Sequence, residues 1–307
     1  MGLTMSSVQG KTAIVTGAGS GICFAFTKLL LDQGCNVVLG DLALRPEAEE
    51  LLKLHSTPNK QARAIFHRAD VRKWQDLDQL FNIAQNEFAR IDIVCPGAGV
   101  FEPSFSNFWI PPGTAKSRDD PLESRYSILD INLTHAVRMS QQAIQHFTNA
   151  KTDGFIVHVS SVAAQHANFF CPMYAASKHA ISGFVRSLAM LDDPPEGSGL
   201  TKIRVNAVAP GCIKTPLWTE SRDRHMFDEE KDEWVLPEWV AEQMLQLILN
   251  PEYKGGTVLE VGSAVRKVEM LNDPGPLVKG NTLSNRKISE DEVWGKLRDL
   301  SNGQVQV

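Results

Sequence analysis

The stretch Lys11-Thr-Ala-Ile-Val-Thr-Gly-Ala-Gly-Ser-Gly21 joins a short apolar run to a glycine-rich turn, and a helix-length segment, Ser20–Gln33, follows. Glycines at such a turn let the backbone approach a pyrophosphate, whose charge is stabilised at a helix N-terminus. The pattern departs from G-x-G-x-x-G because residue 22 is Ile, and taken alone it is as often a simple turn. In this order, however, the elements favour a dinucleotide site. The contacts expected here are Gly17, Gly19, Ser20, Gly21 and Ile22.

Outward from this stretch, apolar runs rich in β-branched residues alternate with helix-length segments. The predicted strands are Lys11–Thr16, Asn36–Asp41, Ala62–His67, Ile91–Pro96, Gly154–Ser160, Ile203–Ala209 and Thr257–Val261. The predicted helices are Ser20–Gln33, Arg45–His55, Lys73–Arg90, Glu123–Asn149, Tyr174–Leu191 and Pro237–Leu249. Strict alternation is typical of a parallel sheet covered on both faces. The sequence therefore predicts an α/β protein with a single-domain Rossmann fold, whose seven-stranded doubly wound parallel sheet binds its ligand at the strand carboxyl ends.

Two segments interrupt this alternation. Residues 101–122 form a Pro- and aromatic-rich insertion after the fourth strand, which is either a surface loop or a wall of the substrate cleft. Residues 264–307 form a polar extension beyond a domain of residues 1–263, and it contains Pro274-Gly-Pro276. Within it, Ser289-Glu-Asp-Glu292 resembles a capping box and precedes Val293, Leu297 and Leu300 at helical spacing. We expect this short helix to dock on its own body or on a neighbouring subunit.

The composition narrows the class of protein. With 307 residues, of which 43% are hydrophobic, the chain can bury a full core. A formal net charge of -5 argues against a nucleic-acid or anionic-membrane partner. Five scattered cysteines and eight histidines lack metal-ligand spacing, so no metal site is predicted. With no apolar leader or long apolar run, the sequence predicts a soluble, cytoplasmic protein.

Three further strand ends supply candidate cofactor contacts. Asp41 ends the second strand, where a carboxylate can accept both ribose hydroxyls and repel a 2′-phosphate. This favours NAD over NADP, although Arg45, four residues later, leaves NADP open, and Asp41 can instead be a turn residue. Asp70 and Val71 follow the third strand and are expected at the adenine ring. Small residues after the fourth strand, expected against the cofactor, are Gly97, Ala98 and Gly99.

A candidate proton-transfer group lies farther along the chain. Tyr174 and Lys178 are four residues apart, so on a helix they share one face. There the ammonium is expected to stabilise a phenolate and lower the pKa of the tyrosine, as a general base for an alcohol requires. Ser161 lies thirteen residues before Tyr174 and in isolation reads as a strand-end cap. Its neighbour Ser160 should face the other side of the strand.

Over residues 11–262 these motifs resemble the short-chain dehydrogenase/reductase family. The residues that carry the resemblance are Thr16-Gly17-x-x-x-Gly21, Asp70, Gly97-Ala-Gly99, Asn132, Ser161, Tyr174-x-x-x-Lys178 and Pro210-Gly211. Within the family, the Asp41 region is similar to NAD-dependent hydroxyprostaglandin dehydrogenases. The segments Cys95–Gly99, Asn107–Trp109 and Asn272–Gly275 are more similar to fungal enzymes of secondary (polyketide) metabolism such as hydroxyaverantin dehydrogenases. Two positions depart from the family: Cys23 replaces the last glycine of the turn, and Pro96-Gly97 replaces Asn-Asn.

The resemblance implies a four-residue catalytic site. Tyr174 would be the acid/base, Lys178 would lower its pKa and hold the nicotinamide ribose, and Ser161 would polarise the substrate oxygen. Asn132 would fix a water that connects Lys178 to solvent. The residues implied around the nicotinamide carboxamide are Pro210, Gly211, Ile213 and Thr215.

The function expected from these observations is NAD-dependent interconversion of a bulky, largely hydrophobic secondary alcohol and its ketone. Aromatic residues near the expected cleft favour such a substrate, although they can equally be core residues: Phe101, Phe105, Trp109, Phe169, Phe170, Trp218 and Phe227. The alternatives are an NADP-dependent ketone reductase and a non-catalytic regulator that senses a dinucleotide. A symmetric homodimer or homotetramer is also expected, with a helix-pair interface.

Overall fold

The computed structural model describes residues 3, 5–57, 61–220, 222–269 and 286–303. Eight strands form one sheet in the order β3-β2-β1-β4-β5-β6-β7-β8. They are β1 Thr12–Thr16, β2 Asn36–Asp41, β3 Ala64–Arg68, β4 Ile93–Pro96, β5 Gly154–Val159, β6 Ile203–Pro210, β7 Val258–Val261 and β8 Val265–Lys267. The first seven are parallel, which confirms the predicted sheet, and β8 pairs with β7 in the antiparallel direction. The eighth strand was missed because three partly exposed residues give no apolar run.

Helices cover both faces of the sheet. They are α1 Gly21–Asp32, α2 Pro46–His55, α3 Trp74–Phe88, α4 Ser127–Leu129, α5 His135–Ala150, α6 Pro172–Ser187, α7 Pro216–Thr219, α8 Pro237–Leu249 and α9 Arg286–Ser301. One apolar cluster lies between the sheet and α1 and α8, and a second lies between the sheet and α3, α5 and α6. The doubly wound architecture predicted from the alternation is therefore confirmed.

The strand order reverses between β1 and β4, whose carboxyl ends lie side by side. Thr16 pairs with Pro96 across these two strands, and Gly17 N donates to Gly40 O at 2.9 Å on the β2 side. A crevice forms at such a reversal because the chains leaving the two strands turn to opposite faces of the sheet. The topology thus brings the loops that follow β1, β2 and β4 to one place.

The long helix predicted over residues 123–149 is interrupted. A π-helical segment, Asp130–Thr134, separates α4 from α5. The N-terminus of α4 is held by the insertion: Asp119 accepts a hydrogen bond from Ser127 N at 2.8 Å, and Ser106 Oγ accepts one from Ile128 N at 3.0 Å. These contacts between distant residues set where the helix begins, and they are not visible in its helical periodicity.

The C-terminal helix α9 packs on its own chain, against α5. Trp294 is buried in the second apolar cluster, so part of the α5 face expected to meet another subunit is covered by α9. The interpretation of Ser289 as an N-cap is wrong, because α9 begins at Arg286. The Pro274-Gly-Pro276 segment lies outside the described residues. Across the described ranges, no helix combines the length and apolar character needed to cross a membrane.

Candidate active site

A cavity of about 650 Å³ follows the carboxyl ends of the parallel strands. It is lined by most of the residues predicted for the site. These are Gly17, Ser20, Gly21, Ile22, Asp41, Asp70, Val71, Gly97, Ala98, Gly99, Ser161, Tyr174, Lys178, Pro210, Gly211, Ile213 and Thr215. Of the described residues predicted for the site, Gly19 and Asn132 do not line it. Segments hundreds of residues apart thus meet at one edge of the sheet.

The glycine turn is packed against the loop after β4. Gly17 has φ +73°, and a Cβ there would lie 2.9 Å from the Ala98 Cα. A Cβ on Gly97 would lie 2.2 Å from the Cys23 Sγ. The two departures from the family pattern therefore fit each other: Cys23 fills the space beside Gly97, and Gly97 leaves room for the thiol.

Asp41 holds the glycine turn with its carboxylate. Gly19 N donates to Asp41 Oδ2 at 2.8 Å, and Leu42 N donates to Oδ1 at 2.7 Å. Both oxygens therefore already have one backbone donor, and each keeps a second lone pair toward the cavity. Arg45 forms an ion pair with Glu220, which follows α7. The Arg45 guanidinium, because of which NADP remained an alternative cofactor, is thus paired with the Glu220 carboxylate.

Asp70 is held beside the adenine end of the predicted site by its neighbour Arg72. Arg72 Nε donates to Asp70 Oδ1 at 2.9 Å, and Nη2 donates to Oδ2 at 2.7 Å. This bidentate contact lowers the pKa of the Asp70 carboxyl. The carboxylate is therefore charged and fixed, while Val71 supplies an apolar surface on the cavity wall.

The loop after β6 closes the other side of the turn. Thr215 Cγ2 lies 3.3 Å from where a Cβ on Gly21 would be, so the loop and the start of α1 are in contact. Ser161 Oγ donates to Pro210 O at 3.5 Å, which links this loop to the end of β5. Pro210 and Thr215 thus belong to one wall of the cavity, and their contact with a nicotinamide carboxamide stays a prediction.

Tyr174 and Ser161 both line the cavity. Ser161 Oγ accepts a hydrogen bond from Ala163 N at 3.1 Å, so it caps the short turn that follows β5. Burial raises the pKa of Tyr174 to about 12, although the nearby Ser161 hydroxyl acts in the opposite direction. The phenol is therefore protonated at neutral pH in this structure.

Lys178 lies one turn beyond Tyr174, with its Nζ 5.6 Å from the centre of the tyrosine ring. The side chain is buried, and Nζ donates to Val159 O at 2.9 Å. Burial lowers the pKa of Lys178 to about 8. In this structure burial raises the pKa of Tyr174, so the lowering of that pKa expected from the Lys178 ammonium is not seen.

Asn132 lies in the π-helical segment and is bonded to the chain after β4. Its Nδ2 donates to Val100 O and its Oδ1 accepts from Val100 N, both at 2.9 Å. Nδ2 also donates to Ser177 Oγ at 3.2 Å. Asn132 therefore connects the loop after β4 to α6. The expectation that it binds a water molecule stays a prediction.

Ser160 also lines the cavity, but its hydroxyl is bound to α6. Its Oγ donates to Lys178 O at 3.1 Å and lies 2.8 Å from Ser182 Oγ, so it ties β5 to α6 from below.

Four aromatic side chains form the wall beyond Tyr174: Phe101, Phe105, Phe170 and Trp218. The Phe101 ring lies 4.8 Å from the Tyr174 ring and 4.7 Å from the Trp218 ring, measured between centres. Trp109 and Phe169 contact each other outside the cavity, and Phe227 stacks on Trp234. The insertion is therefore a wall of the cavity, but only part of its aromatic set faces inward.

Sequence reasoning missed Glu102, a carboxylate that is 3% exposed. Its Oε2 accepts a hydrogen bond from Tyr174 N at 2.9 Å, and its Oε1 accepts one from Phe108 N at 3.1 Å. A charged residue within the apolar segment Phe101–Phe105 was the one available signal, since Lys, Glu, Arg and Asp are rarely buried without a partner.

Known proteins share this architecture and sequence. Residues 11–225 match the sequence model of the family described as short chain dehydrogenase. The chain is 32% identical over 220 residues to a farnesol dehydrogenase of Aedes aegypti, covering 71% of this chain and 83% of that protein. It is 33% identical over 219 residues to the hydroxynaphthalene reductase-like protein Arp2 of Metarhizium guizhouense, covering 70% and 73%.

A third relative is the 15-hydroxyprostaglandin dehydrogenase [NAD(+)] of Rattus norvegicus, 31% identical over 212 residues, which cover 68% of this chain and 71% of that protein. Among solved structures, a 3-ketoacyl-(acyl-carrier-protein) reductase from Brucella melitensis complexed with NADH superposes with a TM-score of 0.64. That match covers 83% of this chain and 98% of the other, at 26% identity. The chain therefore belongs to the short-chain dehydrogenase/reductase family of oxidoreductases, enzymes that act on hydroxyl groups and the corresponding ketones.

Proposed function

We propose that this chain is an NAD-dependent dehydrogenase that interconverts a bulky, largely hydrophobic secondary alcohol and its ketone, with Tyr174 as the acid/base. The observation that carries the proposal is the position of the phenol between a glycine-rich end and an aromatic end of one cavity. A proton-transfer group at that junction can reach a carbinol oxygen whose carbon faces the glycine-rich end. The aromatic wall of Phe101 and Trp218 suits an apolar substrate.

The nicotinamide, when bound, supplies the acceptor or donor of the hydride. Residues of the glycine-rich end would hold the dinucleotide: Gly17, Gly19, Ser20, Gly21, Ile22, Asp41, Asp70, Val71, Gly97, Ala98, Gly99, Lys178, Pro210, Gly211, Ile213 and Thr215. Gly17 beside Ala98 carries no side chain, so a pyrophosphate can approach the backbone closely there. The free lone pairs of Asp41 fit ribose hydroxyls.

Proton transfer is the task of Tyr174 and its neighbours. As a phenol, Tyr174 gives its proton to the ketone oxygen, and as a phenolate it takes the proton of the alcohol. Ser161 hydrogen-bonds the same oxygen and stabilises the charge that develops on it. Lys178 is fixed by its bond to Val159 O, and Asn132 is bonded to Ser177 on the helix of Tyr174. Because the pKa of Tyr174 is about 12 here, the rate of alcohol oxidation should rise with pH, while ketone reduction proceeds with the phenol already protonated.

Preference for NAD rests on the carboxylate of Asp41, which would repel a 2′-phosphate, and on the engagement of Arg45 by Glu220. An NADP-dependent reductase would use the same catalytic residues and is distinguished by the cofactor alone. A dinucleotide sensor without turnover has no need of Tyr174, Ser161 and Lys178 together in its ligand cavity. Roles in fungal secondary metabolism and a homo-oligomeric state are part of this proposal and are carried by the resemblance.

The test is a panel of secondary alcohols and ketones with NAD or NADP, followed at the nicotinamide absorbance. Tyr174→Phe removes the phenol oxygen and keeps the ring, so turnover should fall by about a hundredfold or more while dinucleotide binding persists. Near-normal turnover in that variant contradicts the proton-transfer role. A wild-type preference for NADP contradicts the cofactor assignment, and Asp41→Ala should shift the preference toward NADP.

A further inference from the structure

Glu102 is a buried carboxylate in an unusual backbone conformation. It follows Phe101 directly and has φ +30°, in the left-handed region that a residue with a side chain rarely adopts. Its carboxylate accepts hydrogen bonds from the backbone N–H groups of Phe108 and Tyr174. Desolvation by burial raises the pKa of Glu102, while the backbone N–H groups of Tyr174, Phe108 and Met173 act in the opposite direction. Glu102 thus has a strained backbone conformation, and its side chain accepts hydrogen bonds from other segments of the chain.

One of the two donors, the N–H of Tyr174, belongs to the first turn of α6. N–H groups of a first helical turn have no partner within the helix. Pro172 begins α6 and has no N–H, so Met173 and Tyr174 carry the first donors. The N-cap residue is Cys171, and a thiol is a weak acceptor for this purpose. Glu102, 72 residues before Tyr174, supplies the acceptor that a local cap would otherwise provide.

The same short segment also contacts the tyrosine side chain. The Phe101 ring meets the Tyr174 ring edge to face at 4.8 Å. Residues 101 and 102 therefore contact both the ring and the backbone N–H of Tyr174. A second bond joins the insertion to the loop before α6, since Trp109 Nε1 donates to Phe169 O at 3.0 Å. The wall that faces the substrate and the helix that carries the acid/base are linked at these points.

We propose that Glu102 is a positioning residue for Tyr174: its carboxylate caps α6 and couples the position of the phenol to the substrate wall. This rests on the proposed function, in which Tyr174 transfers the proton. The negative charge also offsets the positive end of the helix, which would otherwise favour a phenolate. The other groups that face Tyr174 are Lys178 on its own helix, Cys171 at the N-cap and Ser161 after β5.

The discriminating comparison is between Glu102 and Ser106, which lie in the same insertion. Ser106 Oγ donates to Asp119 Oδ2 at 2.6 Å and accepts from Ile128 N, so it orders the insertion through α4. Among the described residues, Ser106 makes no hydrogen bond to α6. Ser106→Ala is therefore a matched control that loosens the wall while leaving the cap of the catalytic helix in place.

Three readouts separate positioning from general support. Glu102→Ala should lower kcat by about tenfold with a smaller change in the KM of the alcohol, because misplacement of a reacting group costs rate. Glu102→Gln keeps an acceptor oxygen and removes the charge, so the pH at which alcohol oxidation becomes half-maximal should fall by up to about one unit. Ser106→Ala should raise KM and leave that pH unchanged.

Amide hydrogen exchange at residues 172–178 tests the cap without reference to activity. Glu102→Ala should speed exchange at Met173 and Tyr174, whereas Ser106→Ala should not. Unchanged exchange there in Glu102→Ala, or equal kinetic effects of the Ala variants at both positions, overturns the positioning role. This result is distinct from failure of the proposed function, which would appear as normal turnover in Tyr174→Phe whatever the exchange rates are.

Discussion

The two halves of the cavity meet at Tyr174, but backbone atoms line one half and aromatic side chains line the other. The dinucleotide half, so named for the ligand we propose there, is formed by strand ends and backbone, where an added Cβ on Gly17 would lie 2.9 Å from the Ala98 Cα. The substrate half, named for the proposed substrate, is formed by side chains, with ring centres of Phe101 from the insertion and Trp218 from α7 4.7 Å apart. Added atoms cannot be accommodated in the first half without backbone movement, whereas the second half can change its shape by changing a ring.

This difference predicts which property each half controls. Changes at the glycine-rich end should affect folding and dinucleotide affinity together, because the same backbone atoms serve both. Changes at the aromatic end should affect the choice of alcohol, because the rings lie on segments outside the sheet. Variants in each half therefore test the division directly.

The largest effect is expected for Gly97→Ala in the dinucleotide half. The new Cβ would lie 2.2 Å from Cys23 Sγ and 3.2 Å from Thr16 O, so the turn must shift. We expect a loss of about 1–3 kcal/mol in the free energy of unfolding and clearly weaker dinucleotide binding. Urea unfolding and fluorescence titration with the dinucleotide measure the two quantities.

Cys23→Ala supplies the control for this variant. It removes the sulfur that the new Cβ would meet, so the double variant should recover part of the lost stability, with an interaction energy of about 0.5 kcal/mol or more. A double variant no more stable than Gly97→Ala would show that the contact between Cys23 and Gly97 is not what fixes this turn.

A smaller effect is expected for Phe101→Ala in the substrate half. Loss of the edge-to-face contact with Tyr174 and of the contact with Trp218 should raise the KM of a bulky apolar alcohol by about threefold to tenfold. Dinucleotide affinity should stay within about twofold of wild type, and a small alcohol such as 2-propanol should show little change. Steady-state kinetics with both alcohols provide the measurement.

Phe169→Ala is the matched control, because that ring is 82% exposed and lies outside the cavity. Equal effects of the two substitutions on the bulky alcohol would argue against a substrate wall centred on Phe101. A loss of dinucleotide affinity in Phe101→Ala would show that the two halves are not separable.

The division also explains what the sequence could predict. The glycine turn, Asp41 and the loop after β4 all follow strands at fixed spacing, so topology alone brings them to one edge. Tyr174 and Lys178 are related by one helical turn and Ser161 by the end of β5. For these residues local spacing and the parallel sheet contain the necessary information.

The substrate half depends on contacts that spacing does not encode. The insertion is organised by buried bonds from Ser106 to Asp119 and from Asp119 to Ser127, between residues with no common periodic pattern. Glu102 reaches a helix 72 residues away in sequence, and its burial is visible only in the folded chain. The raised pKa of Tyr174 likewise follows from tertiary burial, which opposed the effect expected from the neighbouring lysine.

The smallest effect is expected where an exposed ion pair joins the two halves. Arg45 follows the strand that ends at Asp41, and its partner Glu220 follows the helix that carries Trp218, so the pair links these two segments. Both side chains are well exposed, at 37% and 58%, and solvent and salt screen such pairs strongly. We therefore expect Arg45→Ala and Glu220→Gln each to change kcat/KM with NAD by less than about threefold, and the difference to vanish at about 1 M salt.

Kinetics with NAD and with NADP show whether the Arg45–Glu220 ion pair has a second role. If Arg45 were held ready for a 2′-phosphate, Glu220→Gln would release it and improve kcat/KM with NADP while leaving the value with NAD unchanged. If Asp41 excludes the phosphate, as we propose, that variant gains nothing with NADP, and only its combination with Asp41→Ala should do so. Kinetics of the two single variants and the double variant with both cofactors separate these cases, because the repulsion at Asp41 must be removed before the guanidinium of Arg45 can bind the phosphate.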